Sequence, residues 1–480
     1  MNDRKGFGSN FGFLMAAVGS AVGLGNIWGF PNKMGANGGF PFLILYLALA
    51  LCCGVIIMLG ELALGRKTGH GAVGAYQSIS KRFKWLGWLG IAAAALIFSF
   101  YSALGGYCLR YVVVNFGNLL GAEFGTNGVG GADVFQGLLS QPDVSIAFAL
   151  AFMLITMLVV MCGVGGGIER VCSVGMPALF FILIICIIRS CTLPGAVDGL
   201  KYMFVPGWAV ANGIIDEAPG FWRVLTAAGG QMFFSLSLGA GVMITYGSYL
   251  DKKQDLGKST MIIVGMDTVV ALMAGLCVIP GRFALDPNGA LGGPELLFIT
   301  MQNVFDKMGP AGPVFGILFY LLVFFAAISS SISMLEVIVA HFCDKAREKG
   351  KGDRRKLYSA IAVVICAALC ALVCADGMGS NHISPAELLG LTGAKLPGWS
   401  TSWLGLFDSV AEGLLMPLGA LLMCLMISWE LKPDALRQEI LLNGENRPWV
   451  YDFFRLCVKY ITPLCMLMIL YGQISDFFIA

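Results

Sequence analysis

The chain has 480 residues, 57% of them hydrophobic and 12% charged, and its mean hydropathy is +0.80. Soluble domains carry roughly twice that share of charge, so a water-soluble globular protein is excluded and an integral membrane protein is expected. A net charge of +2 offers no basic excess for a nucleic-acid partner.

The polar start, Met1 to Asn10, runs into an apolar segment too long, and too rich in glycine beyond it, for a cleaved signal peptide, so the start is expected to stay attached. A helix needs roughly 20 apolar residues to cross the hydrocarbon. Eleven such stretches occur, at 11–37, 39–65, 86–118, 144–162, 168–190, 223–249, 258–281, 311–343, 357–376, 402–430 and 449–477. They predict an all-α membrane protein with eleven transmembrane helices. Of the 31 basic residues, about 21 fall on the side that holds Arg4 and Lys5, among them the run Lys345 to Lys356. The N-terminus is therefore expected in the cytoplasm. An odd number of spans then puts the C-terminus outside the inner (cytoplasmic) membrane.

The first span is interrupted by Gly19-Ser20-Ala21-Val22-Gly23-Leu24-Gly25-Asn26-Ile27-Trp28-Gly29-Phe30-Pro31. Four glycines weaken helix propagation there and Pro31 removes a backbone donor. If the segment unwinds, its carbonyls must line a protected cavity, where a cation is a natural partner. Close helix packing through small residues is the alternative. The sixth span decides between them, because Gln231-Met232-Phe233-Phe234-Ser235-Leu236-Ser237-Leu238-Gly239-Ala240-Gly241 carries a second such interruption. Broken helices in corresponding positions of two halves point to a transporter built from inverted repeats, with its site at the bilayer midplane. The long third and eighth spans correspond in the same way. Residues 1–190 are read as the first repeat, 191–222 as an extracellular loop, 223–431 as the second repeat, and 432–480 as a connector and last helix. A further break is expected in the tenth span.

A small hard cation suits carbonyls, hydroxyls, an amide and at most one carboxylate. Asn26 lies in the first break, Ser235 and Ser237 in the second, and Ser329, Ser330, Ser331 and Ser333 in the eighth span. Asp267 sits about ten residues into the seventh span; an acid there costs about 2.5–3.5 kcal/mol on insertion scales, which makes it a functional residue by default. Tyr101, midway along the third span, has a hydroxyl to offer a carboxylate, or is core packing. Loop 282–310, with Pro287, Gly293 and Pro294, is read as short helices over an external vestibule. The glycines from Gly163 to Gly167 form a turn and not a phosphate loop, because no Lys-Ser/Thr follows. Most of the 15 cysteines lie in apolar runs, so no structural disulfide is expected, and His70, His341 and His382 show no ligand spacing.

The first-span motif followed by Asn37-Gly38-Gly39, the run Gln231 to Gly239 and Phe325-Ala326-Ala327-Ile328-Ser329-Ser330-Ser331 closely resemble the first-, sixth- and eighth-helix signatures of the neurotransmitter:sodium symporter family. Length and span number are similar to its bacterial amino-acid transporters. The resemblance implies a LeuT-like 5+5 inverted repeat with unwound helices 1 and 6 and two Na+ sites. One site would use Ala21, Asn26, Ser235 and Asp267; the other Gly19, Val22, Ala326, Ser329 and Ser330. It implies a substrate pocket of Ala21, Gly25, Ile97, Tyr101, Phe234, Ser235, Ser237, Ala240, Ser330 and Met334, roomy at Ala240, for a bulky aliphatic or aromatic amino acid. Many members have Asn at the Asp267 position and animal members often need chloride, so Asp267 implies that no chloride is used.

The family's external gate usually pairs an Arg just before Phe-Pro with an Asp of the tenth helix, and here those positions hold Gly29 and Asp408. Lys33, one turn on, is the candidate substitute, against the reading that it snorkels to the surface. At the inner mouth the resemblance implies gating by Arg4, Phe7, Tyr249 and Asp344. The expected function is sodium-coupled symport, with no enzyme activity and with the lipid bilayer and a small molecule as partners. Carriage of a related carboxylate or amine, or non-transporting sensing, are the alternatives, and the oligomeric state is left open.

Overall fold

The computed structural model describes residues 6–289, 293–391, 396–441 and 448–479, with side chains described to 475. The first span is two helices, α1 (Asn10–Ala21) and α2 (Gly25–Ala36), bent by 44° at Val22 to Leu24. Next come α3 (Phe40–Thr68), α4 (Lys81–Leu120), α5 (Pro142–Met161) and α6 (Val164–Cys191). The sixth span is also in two pieces, α7 (Phe221–Leu236) and α8 (Val242–Gly247). Then follow α9 (Leu256–Leu285), α10 (Gly309–Glu348), α11 (Arg355–Gly379), α12 (Trp403–Leu431) and α13 (Pro448–Ser475). Nine of these helices, among the described residues, are individually long and apolar enough to cross a bilayer, and the two broken pairs occupy the remaining stretches of the sequence reading.

The two breaks have different local causes. Between α1 and α2 the chain turns at Val22, which is extended (φ −75°, ψ 100°), so the helix stops without a glycine at the turning residue itself. Between α7 and α8, Ser237, Gly239 and Gly241 all have positive φ, at 53°, 77° and 73°. Gly239 is the demanding position, since a Cβ there would lie 2.2 Å from the Met416 carbonyl oxygen. The break expected in the tenth span is absent. Instead α12 runs through, widened by π-helical turns at Ser409–Leu415 and Met426–Leu431, which absorb the irregularity without releasing a run of carbonyls.

The two 40-residue helices α4 and α10 pack along each other and form a wall beside both breaks. Outside the spans, short helices form at Gly131–Leu139, Ala196–Phe204 and Met301–Lys307. The last of these belongs to loop 282–310, which folds against α2. Gly293 donates its N–H to Asn32 Oδ1 at 2.6 Å and accepts from Trp28 Nε1 at 3.3 Å. The glycine cluster after α5 forms a π-helical first turn of α6, entered through Gly163 at φ 83°.

Candidate functional site

An accounting of backbone bonds shows what the first break does. In a continuous helix the N–H of Gly23 would bond the Gly19 carbonyl and that of Leu24 the Ser20 carbonyl. Here Gly23 N–H donates to Asn26 Oδ1 at 3.0 Å and Leu24 N–H to the Tyr101 hydroxyl at 2.6 Å. The released carbonyls take side-chain hydroxyls. Ser330 Oγ lies 3.3 Å from the Gly19 oxygen and 3.1 Å from that of Ser20. Ser329 Oγ donates to the Ala326 oxygen at 2.9 Å and lies 3.4 Å from that of Val22. Gly19, Val22, Ala326, Ser329 and Ser330 are thus gathered in one patch whose donors are all hard oxygens, the set a sodium ion takes.

The second patch forms round Asp267 of α9, which is fully buried. Asn26 Nδ2 donates to its Oδ1 at 2.7 Å, Ser235 Oγ lies 3.0 and 2.9 Å from its two oxygens, and the Tyr46 hydroxyl donates to Oδ2 at 3.2 Å. A buried carboxylate needs this number of donors, or a cation, to offset its desolvation. Ala21 is the last residue of α1, immediately before the break. Of the residues expected at the first sodium site, Asn26, Ser235 and Asp267 are therefore joined directly.

The expected substrate residues surround the same breaks. A Cβ at Gly25 would lie 3.0 Å from Phe234 and 3.2 Å from the Ser235 Cα, so the two interrupted helices touch there. A Cβ at Gly23 would fall 2.3 Å from the Tyr101 hydroxyl and 2.2 Å from Ser330 Oγ, so those two hydroxyls flank the first break. Phe234 stacks on Phe100 at 6.5 Å and tilts toward Tyr101 at 6.3 Å. Ser237 Oγ donates to the Ser20 carbonyl at 3.1 Å. Ala240 abuts Gly90 of α4, and Ile97 and Met334 are buried in the same core.

Toward one end of the bundle, Lys33 forms an ion pair, and its partner is Glu412 of α12. This refines the expected pairing with Asp408, which lies one turn away on α12 and lines the same cavity of about 290 Å³ with Asn37, Arg223 and Gln473. A Cβ at Gly29 would lie 2.9 Å from Gln231 Oε1, and Gln231 Nε2 donates to the Gly25 carbonyl at 2.6 Å, so a side chain at 29 would press on the end of this amide.

By the N-terminus Phe7 packs edge-on to Tyr249 and Tyr246, at 6.2 and 5.7 Å. Arg4 lies outside the described residues, and Asp344 accepts from Gly71 N–H at 3.2 Å. The N-terminal segment is fastened to Glu169 of α6, which accepts from Gly8 N–H at 2.7 Å and Ser9 Oγ at 2.8 Å.

Several contributors escaped the sequence reading. Glu61 of α3 is buried and accepts the Gly239 N–H at 2.7 Å, holding the second break open. Glu336 of α10 is buried, pairs with Arg355 and accepts the Tyr249 hydroxyl at 2.5 Å. The rule that singled out Asp267, an ionisable residue in an apolar span, finds both. Tyr46 carried no comparable signal.

Two interrupted helices facing each other across a hydroxyl- and carboxylate-lined core, inside a multi-pass helical protein, define a LeuT-fold secondary transporter. The chain belongs to the sodium:neurotransmitter symporter family, whose model matches residues 4–129 and 124–478. It is 36% identical over 477 residues to the uncharacterized sodium-dependent transporter YhdH of Bacillus subtilis, with 97% of each chain covered. It is 29% identical to the uncharacterized sodium-dependent transporter MJ1319 of Methanocaldococcus jannaschii, over 99% of this chain and 91% of that one. A crystal structure of MhsT in complex with L-phenylalanine superposes with a TM-score of 0.83 at 34% identity, covering 98% of this chain and 100% of that one. The chain is accordingly a multi-pass membrane protein and a sodium-coupled symporter of a small molecule.

Proposed function

We propose that the protein imports a hydrophobic amino acid, aromatic ones included, by alternating access driven by sodium and without chloride, across a cytoplasmic membrane with its N-terminus inside. The carrying observation is the Asn26–Ser235–Asp267 cluster, which places a fixed negative charge among the oxygens that would hold one sodium. A carboxylate there supplies the charge balance that a neutral amide would leave to an external anion. The serine and carbonyl patch between α1 and α10 would hold a second sodium.

Gly25 would present its backbone to the substrate carboxylate beside the Tyr101 hydroxyl, the opened carbonyls would hold the ammonium, and Ile97, Phe234, Ala240 and Met334 would enclose the side chain. The aromatic faces of Phe100 and Phe234, and the complex that MhsT forms with L-phenylalanine, support an apolar side chain. Lys33–Glu412 would close the outer path, and Phe7, Tyr249 and Asp344 the inner one. Residues 1–190 and 223–431 are taken as the two repeats whose relative rocking opens each side in turn.

Uptake of radiolabelled phenylalanine and leucine into proteoliposomes, under an imposed sodium gradient with chloride replaced by gluconate, tests the reading. Full uptake without chloride is expected. Uptake indifferent to sodium would remove both ion sites, and uptake restored only by chloride would overturn the role given to Asp267.

A further inference from the structure

A second cavity, of about 250 Å³, lies far from the central site, between the end of α4, the Gly131–Leu139 helix and the start of α5. Its charged centre is Arg110. Arg110 is half-buried, and among the described residues it makes no hydrogen bond or ion pair. A guanidinium has five donors and is permanently charged, so leaving it partly desolvated and unpaired is costly unless a ligand completes it. Asp133 lines the cavity too, but forms no ion pair with Arg110. Tyr111, also in the wall, is buried with a hydroxyl that finds no partner, and Gln141 adds a side-chain amide to the rim.

Depth and lining indicate what kind of anion would fit. Arg110 is nine residues beyond Tyr101 on α4, which at 1.5 Å per residue is about 14 Å. With Tyr101 at the midplane, Arg110 lies at the edge of a hydrocarbon core about 30 Å thick, where phosphate groups are found. The rest of the wall is mixed: Thr126 and Asn127 add polar groups, and Val114, Val129, Val134, Leu138 and Val144 are apolar. On the adjoining surface Phe116, Leu119 and Leu120 are exposed. The polar part of the lining suits a headgroup, and the valine and leucine side with this exposed apolar surface suits an acyl chain, which a free anion lacks.

We infer that this cavity binds the headgroup of an anionic phospholipid from the surrounding leaflet, with its phosphate on the Arg110 guanidinium and its upper acyl chain along the valine and leucine wall. The Gly131–Leu139 helix, which carries one side of the cavity, donates the Gly131 N–H to Asn303 of the loop over α2 at 3.0 Å, so a lipid seated here would brace that loop.

The test uses the purified full-length protein in detergent, with native mass spectrometry and thermal unfolding after addition of dioleoyl phosphatidylglycerol, dioleoyl phosphatidylcholine or inorganic phosphate. Wild type should retain phosphatidylglycerol in preference to phosphatidylcholine and melt at a higher temperature with it, while millimolar phosphate should change nothing. Arg110→Gln should weaken phosphatidylglycerol retention about tenfold, as expected for loss of one charge-assisted contact, and Arg110→Lys should keep most of it. If Arg110→Gln fails to fold, the comparison passes to Val134→Trp, which would fill the cavity and should abolish retention with Arg110 intact. Equal retention by wild type and either variant would overturn the site. So would equal retention of the two lipids, or stabilisation by phosphate alone, which would mark a site for a free anion.

Discussion

Asn26 and Asp267 stand 241 positions apart in sequence, yet the Asn26 amide donates to the Asp267 carboxylate at 2.7 Å. The bond ties the first break to the one acid in the middle of α9, and Ser235 brings the second break to the same carboxylate. Both interrupted helices therefore meet on a single carboxylate, the point where the proposed ion and substrate sites would join.

Replacing that charge while keeping its shape is the most direct probe. Asp267→Asn should raise the sodium half-saturation of uptake about tenfold or more, because charge-assisted contacts are worth ~1.5–3 kcal/mol. It should also make uptake respond to added chloride. Sodium titrations in chloride and gluconate media measure both effects; an unchanged sodium requirement in gluconate would dismiss the assignment.

Lys33 is partly exposed, at 23%, while Glu412 is nearly buried, at 9%, and with one partner in contact with water their pairing should contribute modestly. Lys33→Met and Glu412→Gln should each speed loss of bound substrate to the outside, and the double variant should be no worse than either single one. The expected coupling is about 1 kcal/mol. Strictly additive effects on substrate dissociation would mean that the pair does not act as a gate.

Glu61→Leu leaves the Gly239 N–H without its acceptor, which should lower stability by about 1–3 kcal/mol, whereas Glu61→Gln keeps an acceptor oxygen and should lose less. Thermal melts in detergent distinguish the two. If Leu and Gln behave alike, the hydrogen bond to Gly239 is not what holds the α7–α8 break.

Arg355 is the charged partner of Glu336, whose side chain is fully buried. Removing only the cation strands a buried carboxylate, so Arg355→Ala should destabilise by about 3–5 kcal/mol. Adding Glu336→Gln to that variant should recover much of the loss, since the uncompensated charge is then gone. No recovery in the double variant would show that Arg355 acts through packing instead.

Run length and backbone chemistry made much of this legible before folding. The spans follow from stretches long enough to cross hydrocarbon, and the two broken ones from glycines and hydroxyls clustered inside them, because both properties are local to the chain. Asp267 announced itself by being charged in an apolar run, and Glu61 and Glu336 obey the same rule. In the tenth span local chemistry was not enough: the irregularity there was absorbed by π-helical turns, the first of which packs against α4 and α13.

What the chain alone determined, then, is which segments enter the membrane, where two of them come apart, and which oxygens are set free. Only the tertiary structure decided who meets those oxygens: Tyr46 on Asp267, Gln231 against Gly29, and Lys33 with Glu412 in place of Asp408. Such pairings turn on how far one helix slides past another. A slide of one turn, about 5.4 Å, exchanges the partners while leaving every local sequence pattern as it was.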